Sequence, residues 1–330
     1  MAKSRALDKR RKSVRSIRKI TRTMELISTA QFRKAMDRAN AAHAYTERLV
    51  ELVHNISHSG VDTSNPLLLD RTKDKSEQDV KLLVLTANRG LCGGYNASVM
   101  RLAIQRFHQL QTDYHNIALN VSGKRGIGAF SFRKMPIAQS FTNFQDKPVL
   151  EEIDGLAEKY LDAFLSGSID RLDVCYMKFV SMSKQYPVVE TILPLKALTP
   201  EGDVESIKDE GKNDLKKAAL VAGAKSRTAE GKDKGAGQLG SRKDITFEFL
   251  PSKEELIAEL LPEAFKAKLF KCFLDAAVGE QIARMVAMKA ATENADQMIS
   301  ALTTTYNRAR QTQITNEILE IIAGADALEG

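Results

Sequence analysis

Two glycine-rich segments are the stretches of this chain whose residue types could do chemistry. Arg89-Gly90-Leu91-Cys92-Gly93-Gly94-Tyr95-Asn96 follows the apolar run VKLLVLTA (80–87), and SGKRGIG (122–128) follows NIALNVS (116–122). A glycine-rich turn between a strand and a helix can cradle phosphate, because its backbone N–H groups reach the anion at a helix N-terminus. Neither spacing matches a known version: there is no GxGxxG, and no GK[ST] follows. Glycines that let the chain turn tightly between strand and helix are the alternative reading. The five histidines (His43, His54, His58, His108, His115) form no triad or ligand spacing, and only His54 and His58 stand at i, i+4. Cys92, Cys175 and Cys272 are far apart with no CxxC pair, as expected of buried thiols. No cofactor, no metal site and no catalytic group is expected.

The elements that carry these segments alternate. Helical spacing resumes through Val99, Leu102, Ile104, Phe107 and Leu110, and a further helix is expected near 149–166. LDVCYMKFVSM and PVVETILPL read as two β runs separated by SKQY, a hairpin. Strands alternating with helices predict a small Rossmann-like α/β domain with a mainly parallel sheet over 76–250. Within it, residues 199–244 hold seven glycines and no aromatic, so they read as a mobile insertion. DITFEFLPS (244–252) returns as a strand.

Both ends of the chain differ from this middle. Residues 1–59 contain neither proline nor glycine. Ile17, Ile20, Met24 and Ile27, and then Ala42, Tyr45, Leu49, Leu52 and Ile56, step by three and four, the seam of a two-stranded coiled coil, thin between Gln31 and Ala41. From Pro262, which suits a first helical turn, helix formers run to Gly324, which suits the residue past the end. About 60 residues at roughly 1.5 Å each reach about 90 Å, too long to be buried in this chain alone. The fold expected is α/β with a long antiparallel coiled coil, residues 1–60 against 252–325, and the α/β domain at one end of the rod.

Charge is uneven. Residues 1–22 carry ten Lys or Arg against the single acid Asp8, a local +9 within a total of +7, so the rest of the chain stands at −2. Such a helix suits phosphates, anionic lipid or an acidic protein surface. No aromatic interleaves the cluster, which disfavours nucleic acid. No apolar run approaches a membrane span.

Three stretches together resemble the γ subunit family of the F-type ATP synthase. SIRKITRTMELISTAQFRKA (16–35) resembles its opening helix, although Glu25-Leu26-Ile27-Ser28-Thr29 stands where the family is richer in Ala and Val. ANRGLCGGYN (87–96), with Arg89, Gly90, Gly93 and Gly94, resembles its central motif. ARMVAMKAATENA (283–295) and YNRARQTQITNEILEIIAGADA (306–327) resemble its end, with Ile314, Thr315, Glu317, Glu320, Gly324 and Ala325 in the signature.

The resemblance implies a central rotor shaft in a proton-translocating ATP synthase, itself non-catalytic. Its terminal helices turn inside a ring of α and β subunits, and its lower part grips the ε subunit and the c-ring. It further implies that Met24 faces the β lever with Glu280 and Arg284 beside it, and that Arg310 and Gln311 engage a β loop higher up. A shaft that turns should present small residues and a basic face rather than interlocking knobs. The expected setting is peripheral, on the cytoplasmic side of a bacterial membrane, since the chain leaves no room for an import presequence. The insertion lacks the cysteine pair of plant relatives, so no thiol switch is expected there. On the residues alone two rivals stand beside this: a nucleotide-dependent enzyme with helical arms, and a coiled coil binding nucleic acid through residues 1–22.

Overall fold

A computed structural model describes residues 2–58, 66–68, 77–144, 148–195 and 253–329. The insertion expected at 199–244, the strand expected at 244–252 and the side chains of His43, Leu52, His54, Ile56 and His58 lie outside the described residues.

The sheet has five strands in the order β3-β2-β1-β4-β5. β1 (Asp79–Leu85) pairs in parallel with β2 (Asn116–Ser122) and β4 (Arg171–Ser181). β2 pairs in parallel with β3 (Ile137–Phe141), and β5 (Lys184–Leu193) closes the other edge antiparallel to β4. The expected hairpin is therefore present, though Lys184, Gln185 and Tyr186 belong to its second strand rather than to the turn. β3 left no clear mark in the sequence, because IAQSF is an edge strand with its three central residues exposed.

α2 (Tyr95–Asp113) and α3 (Lys124–Phe132) cover one face of the sheet through Val99, Ala103, Phe107 and Phe130. α4 (Leu150–Leu165) covers the other through Ile153, Ala157 and Phe164, and shares that core with Leu261, Phe265, Leu269 and Phe273 of the last helix. Gly123 makes the β2–α3 turn possible: it sits at φ +100°, and a Cβ there would fall on the Thr86 carbonyl. The Thr86 hydroxyl meanwhile donates to Ser122 O at 2.7 Å and accepts from the Gly126 N–H at 3.0 Å. Gly123→Ala should therefore cost about 2–3 kcal/mol in denaturant unfolding, from strained backbone and overpacking together.

The two ends form one antiparallel pair, α1 (Ala2–His58) and α5 (Lys253–Glu329). At 57 and 77 residues they reach about 85 and 115 Å. Ser4 meets Gln313, Arg11 stacks over Tyr306 at 4.6 Å, Arg18 pairs with Asp296, and Thr292 bonds Thr21 at 2.9 Å. Phe32 and Ala35 pack on Val278 and Ile282 nearer the sheet.

Two expectations about α5 are corrected. Pro262 lies inside the helix, which begins nine residues earlier at Lys253. Burial of Leu261, Ala264 and Phe265 in the sheet core offsets the hydrogen bond that proline removes. Gly324 does not end the helix either, which continues to Glu329.

The seam is also corrected. Ile17, Ile20 and Ile27 are exposed at 54%, 61% and 48%, and Tyr45 is exposed as well. The buried line runs instead through Val14, Thr21, Ser28, Ala35 and Leu49, with Ala42 half-buried, at seven-residue steps. Nor is the stretch from Gln31 to Ala41 thin, since Phe32 is buried there. Along α1 the pair thus closes largely over small and hydroxylated side chains, and Ile17, Ile20 and Ile27 turn outward beside the basic residues, where small residues were expected.

Candidate functional site

Beyond the sheet, from Met288 onward, the contacts of α5 run to α1. The projecting rod carries exposed apolar residues on both helices: Ile17, Ile20, Leu26 and Ile27 on α1, and Ile314, Ile318, Leu319, Ile321 and Ile322 on α5. Large side chains left in water at this density mark a surface that another protein covers. Among the α1 bases, Arg11 and Lys12 pair with Asp8, Arg18 with Asp296 and Arg22 with Glu25, while Lys9, Arg10, Arg15 and Lys19 are exposed.

The expected contact residues divide into two groups. Met24 is half-buried on α1, and Arg310 and Gln311 are exposed on α5. In the terminal motif Ile314 and Glu320 are exposed, Thr315 donates to Gln311 O at 3.0 Å, and Glu317 accepts from Gln313 at 2.8 Å. Gly324 lies inside the helix with open space around it, and the side chain of Ala325 lies outside the described residues. Glu280 and Arg284 are instead turned into the chain, 6% and 3% exposed. They pair at 2.5 Å, and Arg284 Nε donates to Gly90 O at 3.3 Å.

The glycine-rich loop therefore faces α5. Arg89, Leu91, Gly93 and Gly94 are exposed and Gly90 half-buried. Leu91 takes φ 65° and Gly93 φ 56°. A left-handed leucine that is also exposed is the strained feature no sequence pattern announced. The loop spends its polar groups on itself: the Ala87 N–H donates to Asn96 Oδ1 at 2.9 Å, and the Tyr95 N–H to Cys92 O at 3.2 Å. Burial pushes the Cys92 thiol up, with Glu280 adding to the effect. The crevice at the carboxyl ends of β1 and β2, bordered by Thr86, Tyr95, Phe273 and Glu280, retains only about 30 Å³. That holds a water, not a nucleotide. Among the described residues no group of three or more His, Cys, Asp or Glu could hold a metal.

A long two-helix rod rooted in an α/β domain and lined with exposed apolar side chains along its projecting length defines a stalk-type protein. A family profile described as ATP synthase matches residues 3–328. The ATP synthase gamma chain of Rhodopirellula baltica is 49% identical over 330 residues, covering all of both chains. That of Synechococcus elongatus is 34% identical over 334 residues, again covering all of both. In fold, the chain is similar to one in the Euglena gracilis mitochondrial ATP synthase (OSCP/F1/c-ring, rotational state 3). The TM-score is 0.59 at 16% identity, over 99% of this chain and 95% of that one. The chain belongs to the ATP synthase gamma chain family. It is a central-stalk subunit, and no described helix is long and apolar enough to cross a membrane.

Proposed function

We propose that this chain carries torque and no chemistry: α1 and α5 form the shaft, and the α/β domain is the foot that grips a rotating ring. Residues 1–60 and 252–325 are the shaft unit and 76–250 the foot, with residues 199–244 inserted into the foot. Solved relatives that share the fold are described as rotor, and as central stalk with c-ring. The partners are accordingly a c-ring and an ε subunit below, and α and β subunits around the rod. The setting is peripheral, on the cytoplasmic face of a bacterial membrane.

The observation that carries this reading is the outward-facing isoleucine set on the projecting part of a helix about 115 Å long in all. Isoleucine against a smooth apolar sleeve binds without directional bonds, so it excludes water while permitting rotation. Met24, Arg310 and Gln311 are the contact residues. Glu280 and Arg284 reach a partner only through the loop they support, whose exposed members are Arg89 and Leu91. Replacing Arg310 and Gln311 together by alanine should leave the complex assembled and lower coupled ATP turnover about 10-fold. That corresponds to about 1.4 kcal/mol of lost interaction at the step they serve. Wild-type turnover in that variant, measured on the purified complex, would remove them from the contact set.

A further inference from the structure

In an open α/β sheet the crevice at the point where strand order reverses, here between β1 and β4, usually receives the ligand. In this chain it receives α5. The Tyr95 hydroxyl, in a residue 3% exposed, donates to the Ala276 carbonyl at 3.1 Å. Gly279 lets the helix sit close: a Cβ there would lie 3.0 Å from Met177 Cγ and 3.6 Å from the Tyr95 ring. One turn further, Arg284 holds Gly90 O and is itself held by Glu280. On the far side of the loop, a Cβ at Gly93 would touch that of Ala287 at 3.5 Å.

These bonds are aimed from side chains at buried backbone carbonyls, whereas the Lys266–Glu158 pair at 3.3 Å lies at the solvent edge of the joint and most of the joint is apolar packing. The apolar packing of Phe265, Leu269 and Phe273 on the sheet is strong but non-directional, and a helix can roll on such a surface. A hydroxyl and a guanidinium aimed at two backbone carbonyls fix the helix in rotation as well as in position. Burying an ion pair adds little net stability, so its use here is geometric.

We propose that the crevice is a torque clamp, in which Tyr95 and Arg284 act as positioning residues that key the α/β foot to the shaft so that both turn as one body. This rests on the shaft reading above, and is tested on the complete complex in sealed vesicles. The first variant joins Tyr95→Phe to Glu280→Gln and Arg284→Met, removing both charges so that neither is left buried alone. Its ratio of gradient-driven ATP synthesis to ATP hydrolysis should fall about 5- to 10-fold, because synthesis must drive torque from foot to shaft.

The second variant adds Met177→Cys and Gly279→Cys, whose Cβ atoms stand 3.4 Å apart, near the range of about 3.5–4.5 Å that a disulfide needs. Oxidation should restore the ratio and dithiothreitol should abolish the restoration, a response that general loss of stability would not give. Tyr95→Phe alone, which keeps the packing, should lower the ratio about 2-fold. An unchanged ratio in the triple variant, or a loss that the disulfide leaves in place, overturns the clamp. The shaft reading would survive either result so long as the wild-type chain purifies with, and rotates in, the complex.

Discussion

Asp173→Ala should lower the unfolding free energy by about 3–5 kcal/mol, the cost of breaking a buried charge network by removing one member. Asp173 is fully buried near the start of β4. Arg106 reaches it from α2 through both Nε and Nη2, each at 3.0 Å from Oδ2. Arg171 donates to Oδ1 at 2.8 Å, and Thr191 of β5 to the same oxygen at 2.9 Å. Arg171 also holds Thr191 at 2.8 Å, so the carboxylate ties α2, β4 and β5 into one unit. Burial works against the Arg171 charge, and Asp173 more than offsets it, leaving that pKa raised. Without the carboxylate two guanidinium groups, 15% and 26% exposed, face each other across the gap. Denaturant unfolding at neutral pH reads the loss, and a change under about 1 kcal/mol would show that water or rearrangement replaces the carboxylate.

Asp275→Asn should have an effect of similar size and opposite sign at alkaline pH. Asp275 lies on α5 against β4, 5% exposed, and its Oδ2 has no hydrogen-bond partner among the described residues. Burial is the chief influence, raising its pKa from 3.8 to about 7. Lys271 on the same helix opposes this, Glu190 on β5 reinforces it, and Lys178 on β4 and the Phe179 backbone oppose it again. Lys268, also on α5, is itself lowered, chiefly by burial, with Glu190 pulling the other way.

The folded-state value lies above the unfolded one, so between them the folded chain holds a proton that the unfolded chain does not. The contribution of this group is full below about pH 4 and is lost as pH rises through about 7. At about 1.36 kcal/mol per pH unit the span amounts to about 4 kcal/mol. The asparagine variant should thus gain on wild type steadily from pH 4 to 7 and hold the gain above it. A wild-type-minus-variant difference that stays flat with pH would mean Asp275 is ionised throughout.

Much of the architecture was legible in residue order. VKLLVLTA, NIALNVS and the helical stretch near 149–166 stand where expected, because a strand buried on both faces reads as an apolar run and an amphipathic helix as a three-four rhythm. The absence of glycine and proline over the first 59 residues foretold one long helix. What the rhythm could not say was which stripe of that helix faces inward. Ile17, Ile20 and Ile27 satisfy a seam pattern, but so would residues meant for another protein. Hydrophobic spacing records burial in the assembled state, not the partner that provides it.

The chemistry of the ends and loops divides the same way. Residue types alone excluded the common phosphate loops, gave no metal spacing, and set the local charge of α1. Whether RGLCGGYN faced a ligand or a helix was decided only when α5, some 190 residues later in the chain, came to lie across it. That contact depends on α5 packing back onto the α/β domain, a long-range event that no local window contains. The same packing on the sheet turned Glu280 and Arg284 inward, buried Asp275 against β4 and let α5 continue through Pro262. Sequence periodicity determined which segments would be helix or strand. Tertiary packing decided which faces met, since the free energy of burial depends on the surface available to pack against.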